Sequence, residues 1–260
     1  MALKEINIFR RHGKQFVPDP RKALLPDIFR GRPVIQPDIT PEEISNVIAI
    51  CPVSAIGVES REGNPSIQGC FIDLGRCVFC RECAFAVPEK IRFTHDHKIA
   101  TNDRTGLMVH QGVDKPISVN ANLIRKEIRS LFRHALKLRQ ISAGGDNSGE
   151  MELNAAGNVN FDMGRYGIEF VASPRHADGI VITGPISQNM AEAVQVCFDA
   201  TPQPRLIILA GSDAIGGGIF VGRPAIQRNV LQKYPIDLYV PGNPPHPLTF
   251  INGVLDLIRS

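Results

Sequence analysis

Four cysteines are placed for iron–sulfur chemistry. Three recur at three-residue steps in Cys77-Val78-Phe79-Cys80-Arg81-Glu82-Cys83, and a fourth lies far upstream in Cys51-Pro52. In tandem motifs of the form C-x2-C-x2-C-x3-C-P, the last cysteine of one motif serves the cluster of the other. Cys51, Cys77, Cys80 and Cys83 are therefore the full ligand set of one [4Fe–4S] cluster. Structural zinc also takes four thiolates, but it favours two separate C-x2-C knuckles. The same spacing puts a second ligand set at Pro41, Ile44, Val47 and Val87, and none of these can bind iron. One site is expected to be kept and one lost as a unit. Cys70 and Cys197 fall outside the pattern and are expected to be buried, inert thiols.

The elements that must position these residues lie in a chain of 260 residues, long enough for one large domain or two modest ones. Apolar residues make up 43% and charged residues 21%, which suits a globular protein and excludes a disordered one. No apolar run reaches the length of a membrane span, and the N-terminal MALKEINIFRRHG lacks the apolar core of a secretory signal. A cytoplasmic protein is expected. Residues 1–140 carry 22 Lys and Arg against 15 Asp and Glu, whereas residues 141–260 carry 7 against 11, which suggests two units with different surroundings. Aromatic residues are not interleaved with the basic ones, so a docking surface for another subunit is favoured over nucleic acid.

Along the chain, residues 1–35 read as an extended arm rich in Pro and Arg. Thr40-Pro41-Glu42-Glu43 opens a helix that runs to about Cys51. Short strands are expected at 54–58, 71–73 and 91–94, with a helix from Cys83 to Val87. These place an α+β unit at 36–95, followed by a connector at 96–121. From Asn122 to Gln140 the sequence suggests a helix, with Ile124, Ile128, Leu131, Phe132, Ala135 and Leu138 on one stripe. Its other face carries Arg125, Lys126, Arg129, Arg133, Lys137 and Arg139 and reads as solvated. Strands at 167–172, 179–183, 205–210 and 236–240 then alternate with helices at 188–198, 224–234 and 247–258. That alternation argues a parallel sheet covered on both faces. Ligands in such sheets sit at the carboxyl ends of the strands, here Gly184, Gly211 and Gly242.

Four segments of this second half carry a resemblance: Gly-Arg-Tyr-Gly-Ile-Glu-Phe-Val-Ala-Ser-Pro-Arg-His-Ala-Asp (164–178), Thr-Gly-Pro (183–185), Gly-Ser-Asp-Ala-Ile-Gly-Gly-Gly-Ile-Phe (211–220) and Val-Pro-Gly-Asn-Pro-Pro-His-Pro (240–247). Residues 122–260 resemble the small subunit of group 4 [NiFe] hydrogenases and formate hydrogenlyases, and the 20 kDa subunit of NADH:quinone oxidoreductase. Residues 36–95 resemble the ferredoxin-type subunit of the same complexes. The resemblance implies a ferredoxin-like α+β domain followed by a flavodoxin-like α/β domain, as a fusion of two electron-transfer subunits. It further implies a large-subunit homologue as partner, membrane ion-translocating subunits in the same complex, and a peripheral position on the inner face of the membrane.

In that family the small subunit holds a proximal [4Fe–4S] cluster. Carried over by position, its four cysteines fall on Asp146, Gly149, Asp213 and Asn243, and a glutamate after the first pair falls on Glu150. The resemblance therefore implies a scaffold without its redox centre. Oxygen ligands at Asp146, Asp213 and Asn243 suit a hard cation, while polar filling of a vacated cavity is the plainer expectation. The loop 211–218 matches neither G-x-G-x-x-G nor a P-loop. Arg175 matches a motif near the large subunit, and His176 beside it reads as a turn or interface residue rather than a proton relay. The function expected is a non-catalytic iron–sulfur subunit with one cluster. The alternatives are an electron carrier to an unrecognised acceptor and a structural assembly subunit.

Overall fold

The computed structural model describes residues 2–12, 16–61 and 64–259. The expected extended arm begins instead with a helix, α1 (Ala2–His12); residues 1 and 13–15 of that arm lie outside the described residues. Few residues in this stretch resist helix, and Pro and Gly are absent until Gly13. Beyond it, residues 16–32 have no helix or strand. Val17 N–H donates to the Asn160 carbonyl at 2.8 Å, Asn252 donates to the Pro20 carbonyl at 2.9 Å, and Arg21 meets Asp256 at 2.8 Å. The arm is thus laid over the chain itself, its earlier part on the second half and its end, through Arg30 and Gly31, on the first.

Strand β1 (Pro33–Ile35) leads to α2 (Pro41–Ile50). A reciprocal cap starts that helix: Glu43 N–H donates to Thr40 Oγ1, and Thr40 N–H donates to the Glu43 carboxylate at 2.8 Å. The strands β2 (Ile56–Arg61) and β3 (Asn64–Asp73) follow, then α3 (Glu82–Ala86), β4 (Ile91–Phe93) and β5 (Met108–His110). β1 pairs antiparallel with β4, and β2–β3–β5 form an antiparallel sheet. β5 was not foreseen: the turn-rich stretch around it hides a three-residue strand whose Val109 is buried against Ile72.

The expected long helix at 122–140 is overturned. A short α4 (Lys126–Leu131) ends at Phe132, and β6 (Leu136–Ser142) follows. Leu136 and Leu138 are buried while Lys137 is exposed, a period of two that the helical stripe had absorbed. Two members of that stripe, Leu131 and Ala135, face solvent. Next come α5 (Ser148–Ala156), also unforeseen, β7 (Ile168–Phe170), β8 (Gly179–Thr183), α6 (Gln188–Ala200), β9 (Leu206–Ala210), α7 (Ser212–Gly216), α8 (Val230–Lys233), β10 (Leu238–Val240) and α9 (Pro247–Arg259). The helix expected at 224–234 shrinks to α8.

The five strands of the second half are all parallel, in the order β10-β9-β8-β6-β7. β8 and β9 are buried at every position, which is why both read as continuous apolar runs. Alternate residues feed two cores. Ile180 and Ile182 join α6 and the core of the first half, whereas Val181 joins α4, α5 and α9. One apolar core therefore runs through the junction between the two halves. The basic face expected for the long helix is only partly solvated, because Arg125 reaches inward. Its Nε and Nη2 each donate to the Asp237 carboxylate at 2.9 Å, and Nη2 also reaches the Arg205 carbonyl.

Candidate functional site

The four motif cysteines line one pocket. Cys51 caps the end of α2, Cys77 and Cys80 lie on the loop after β3, and Cys83 lies in α3. Val53, Ala55, Ile56, Ile72 and Phe93 give it an apolar side, and Arg81 and Glu82 line it as well. Phe79 and Arg81 are left-handed, with φ of 55° and 70°, and this backbone wraps the loop. Phe79 N–H donates to Cys77 Sγ at 3.4 Å and Ala55 N–H to Cys51 Sγ at 3.2 Å. Burial pushes the Cys77 thiol up to about 12, with the other thiols adding to the shift and the Phe79 N–H opposing it. Burial likewise pushes Cys83 up to about 12. Arg30 holds the loop from outside by donating to the Phe79 carbonyl at 3.0 Å.

At the positions of the missing second set, Ile44, Val47 and Val87 are buried in the apolar core. Cys70 is buried and its thiol is pushed up to about 11 by burial, while Cys197 is half-buried. Both are free thiols away from the pocket; Cys70 is buried as expected, whereas Cys197, on a helix face that is not fully covered, is only partly so. Among the described residues, no three His, Cys, Asp or Glu side chains close on a point as the ligands of a single metal ion do.

A second cavity lies where the parallel sheet should hold a ligand, at the carboxyl ends of β6, β8, β9 and β10. Asp146, Gly149, Asp213 and Asn243 all line it, with Glu150 and Ser212. Ser148 caps Asp146, its N–H donating to Oδ1 at 3.0 Å and its hydroxyl at 2.6 Å, and these bonds hold the carboxyl below its usual range. Asp213 is pushed up, first by burial and then by the Asp146 charge, with Arg228 opposing. Glu150 is buried and accepts from Thr183 Oγ1 at 2.5 Å. Gly184 has φ of 79°, and a Cβ there would stand 2.5 Å from the Gly145 nitrogen, so only glycine lets these two turns meet.

The two sites are neighbours through the chain junction. A Cβ on Gly75, at the start of the cysteine loop, would stand 2.7 Å from Ile215 in α7, and one on Gly216 would stand 2.6 Å from the Gly75 carbonyl. Asp73 anchors that loop: it accepts the Gly75 N–H at 2.8 Å and a two-pronged contact from Arg104 at 2.8 and 2.6 Å. Arg228 braces the other side by donating to the carbonyls of Pro185, Asp213, Ala214 and Ile215. Nothing in the sequence singled out Arg104, Arg228 or Ser212, since their roles come from contacts distant along the chain. Arg175 and His176 do not join either site. They are exposed on a short turn, Pro174–His176, before the amino end of β8, at the opposite end of that strand from the cavity.

A parallel sheet with a cavity in its carboxyl-end loops defines an α/β domain of the kind that holds a ligand or cofactor. Residues 147–257 match the family model of the NADH ubiquinone oxidoreductase, 20 Kd subunit. A probable membrane-bound hydrogenase subunit, mbhJ, of Pyrococcus furiosus is 34% identical over 115 residues, covering 44% of this chain and 69% of that one. An NADH-quinone oxidoreductase subunit of Desulfovibrio desulfuricans is 40% identical over 107 residues, covering 41% of this chain and 58% of that one. A chain in the structure of the membrane-bound sulfane sulfur reductase, an archaeal respiratory membrane complex, aligns at a TM-score of 0.41 and 27% identity over 47% of this chain and 67% of that chain. The chain belongs to the NADH ubiquinone oxidoreductase 20 kDa subunit family. Among the described residues, no helix is long and apolar enough to cross a membrane.

Proposed function

We propose that this chain is the iron–sulfur subunit of a membrane-associated assembly related to energy-converting hydrogenases and NADH:quinone oxidoreductase. It holds one [4Fe–4S] cluster in a ferredoxin-like first domain and lacks the proximal cluster of its relatives. The convergence of Cys51, Cys77, Cys80 and Cys83 on one pocket carries this proposal. Four thiols with two backbone N–H groups directed at sulfur suit a cluster. Three cysteines at successive three-residue steps with a distant Cys-Pro also favour a cubane over the two separate knuckles of structural zinc. Thiols that burial alone would keep protonated ionise once a cation binds them. When bound, the cluster would supply one-electron transfer.

In the second domain, Asp146, Gly149, Asp213 and Asn243, the positions to which the resemblance assigns a proximal cluster, line one cavity, and glycine offers no side-chain ligand. The second domain docks a large-subunit homologue, with the exposed Arg175 and His176 as candidate contributors; Glu150, also a candidate for that interface, is buried against Thr183 inside the chain's own cavity. Membrane attachment comes through the partners, on the inner face. An electron leaving the cysteine pocket has no second carrier in this chain, so the assembly couples the retained cluster to something other than the family's final step. The EPR spectrum of the reduced chain tests this. One isolated cubane signal is expected, whereas two interacting cubane signals from the chain would overturn it.

A further inference from the structure

The cavity at the carboxyl ends of the parallel strands presents more oxygen donors than its own hydrogen bonds use. Ser212 is 1% exposed and lines the cavity, yet its Oγ has no hydrogen-bond partner among the described residues. The half-buried Asp213 carboxylate lines it too and accepts no hydrogen bond from them. Asp146 offers a second oxygen, since both of its bonds from Ser148 go to Oδ1. The nearby N–H donors are already engaged, although the Arg228 charge still acts on Asp213. The first N–H of α5 is taken by Asp146, and the Arg228 guanidinium faces four carbonyls. The volume is about 20 Å³, room for one particle the size of a water molecule. That is far too little for a flavin or a nucleotide.

We propose that this cavity binds one hard divalent cation of the Mg²⁺ and Mn²⁺ class, held by Asp213, the free oxygen of Asp146 and Ser212 Oγ. Hard cations take oxygen ligands, and Mg²⁺ in particular binds through one or two carboxylates while keeping several waters. The Asn243 amide oxygen stands at the exposed rim, where water completes the coordination. The cation ties the β6–α5 turn to the β9–α7 turn, and so cross-links turns that the family's cluster ligands would join. It also offsets the repulsion between Asp146 and Asp213. This inference rests on the proposal that no cluster occupies the cavity.

Binding of Mn²⁺ to the full chain, purified without added divalent metal, tests it by EPR, because bound Mn²⁺ loses the sharp six-line spectrum of the free ion. One Mn²⁺ per chain is expected, with a Kd on the order of 10⁻⁴–10⁻³ M for a site with few charged ligands, and Mg²⁺ in excess displaces it. Asp213→Asn weakens binding by about tenfold or more. Ser212→Ala, which removes one small group and keeps the fold, weakens it by about threefold. No binding at millimolar Mn²⁺, or binding that neither substitution changes, overturns the proposal. Iron measured on the same sample separates the two proposals. About four irons per chain without Mn²⁺ binding sinks the cation site alone, whereas about eight sinks the single-cluster proposal beneath it.

Discussion

Cys80→Ser is expected to empty the cysteine pocket of iron. The substitution removes one of four thiolates and leaves Cys77 and Cys83 in a pocket where burial pushes both thiols up to about 12. A cubane needs its full set of thiolates, so removing one of four weakens the site that binds and orders it. Iron per chain falls from about four to below about one, and the visible absorbance of the cluster goes with it. The second half keeps its own core of β8, β9 and α9, so far-UV circular dichroism retains the signal of the parallel-sheet domain. Assembly with partner subunits then distinguishes two roles for the cluster. An electron carrier predicts an assembled complex that no longer transfers electrons, and a structural cluster predicts no assembly. A Cys80→Ser chain with unchanged iron content would show that these cysteines do not hold the cluster together.

Asp237→Ala is expected to destabilise the chain by about 3–5 kcal/mol, the usual consequence of leaving one partner of a buried ion pair behind. Asp237 is 8% exposed, takes both prongs of Arg125, and accepts the Ile207 N–H at 2.9 Å. It therefore clamps three segments at the amino ends of β9 and β10. Burial pushes its carboxyl up and the Arg125 guanidinium pulls it back down, the balance expected of an ion pair taken out of water. The change appears as a lower urea midpoint with an unchanged slope. Arg125→Ala is also destabilising, and the double variant loses less than the sum of the two, because the pair is broken once. A loss under about 1 kcal/mol for Asp237→Ala would place Arg125 on a solvated face after all.

That contrast shows what was legible in the sequence. The meeting of Cys51, Cys77, Cys80 and Cys83 in one pocket was, because thiols at three-residue steps have few other uses and each is marked by residue type. β8 and β9 were legible as unbroken apolar runs, and α2 by its Thr-Pro-Glu-Glu start. The stretch from Asn122 to Gln140 was not. Ile124, Ile128, Phe132 and Leu138 fit one helical stripe, yet Leu136 and Leu138 alternate with the exposed Lys137 as a strand does. Parallel pairing of Leu138 with Phe170 and Gly179 decides in favour of the strand, and that is a contact 32 to 41 residues away. The acid cavity was legible only as four positions carried over by resemblance. Its unpartnered Ser212 and its brace Arg228 depend on loops that meet in space and leave no local pattern.

The central claim is that one cubane sits on Cys51, Cys77, Cys80 and Cys83 and that no second cluster accompanies it. Iron, zinc and acid-labile sulfide per chain, measured on anaerobically purified protein, test it most directly. About four irons and four sulfides without zinc are expected. Eight of each, or zinc in place of iron and sulfide, would contradict it.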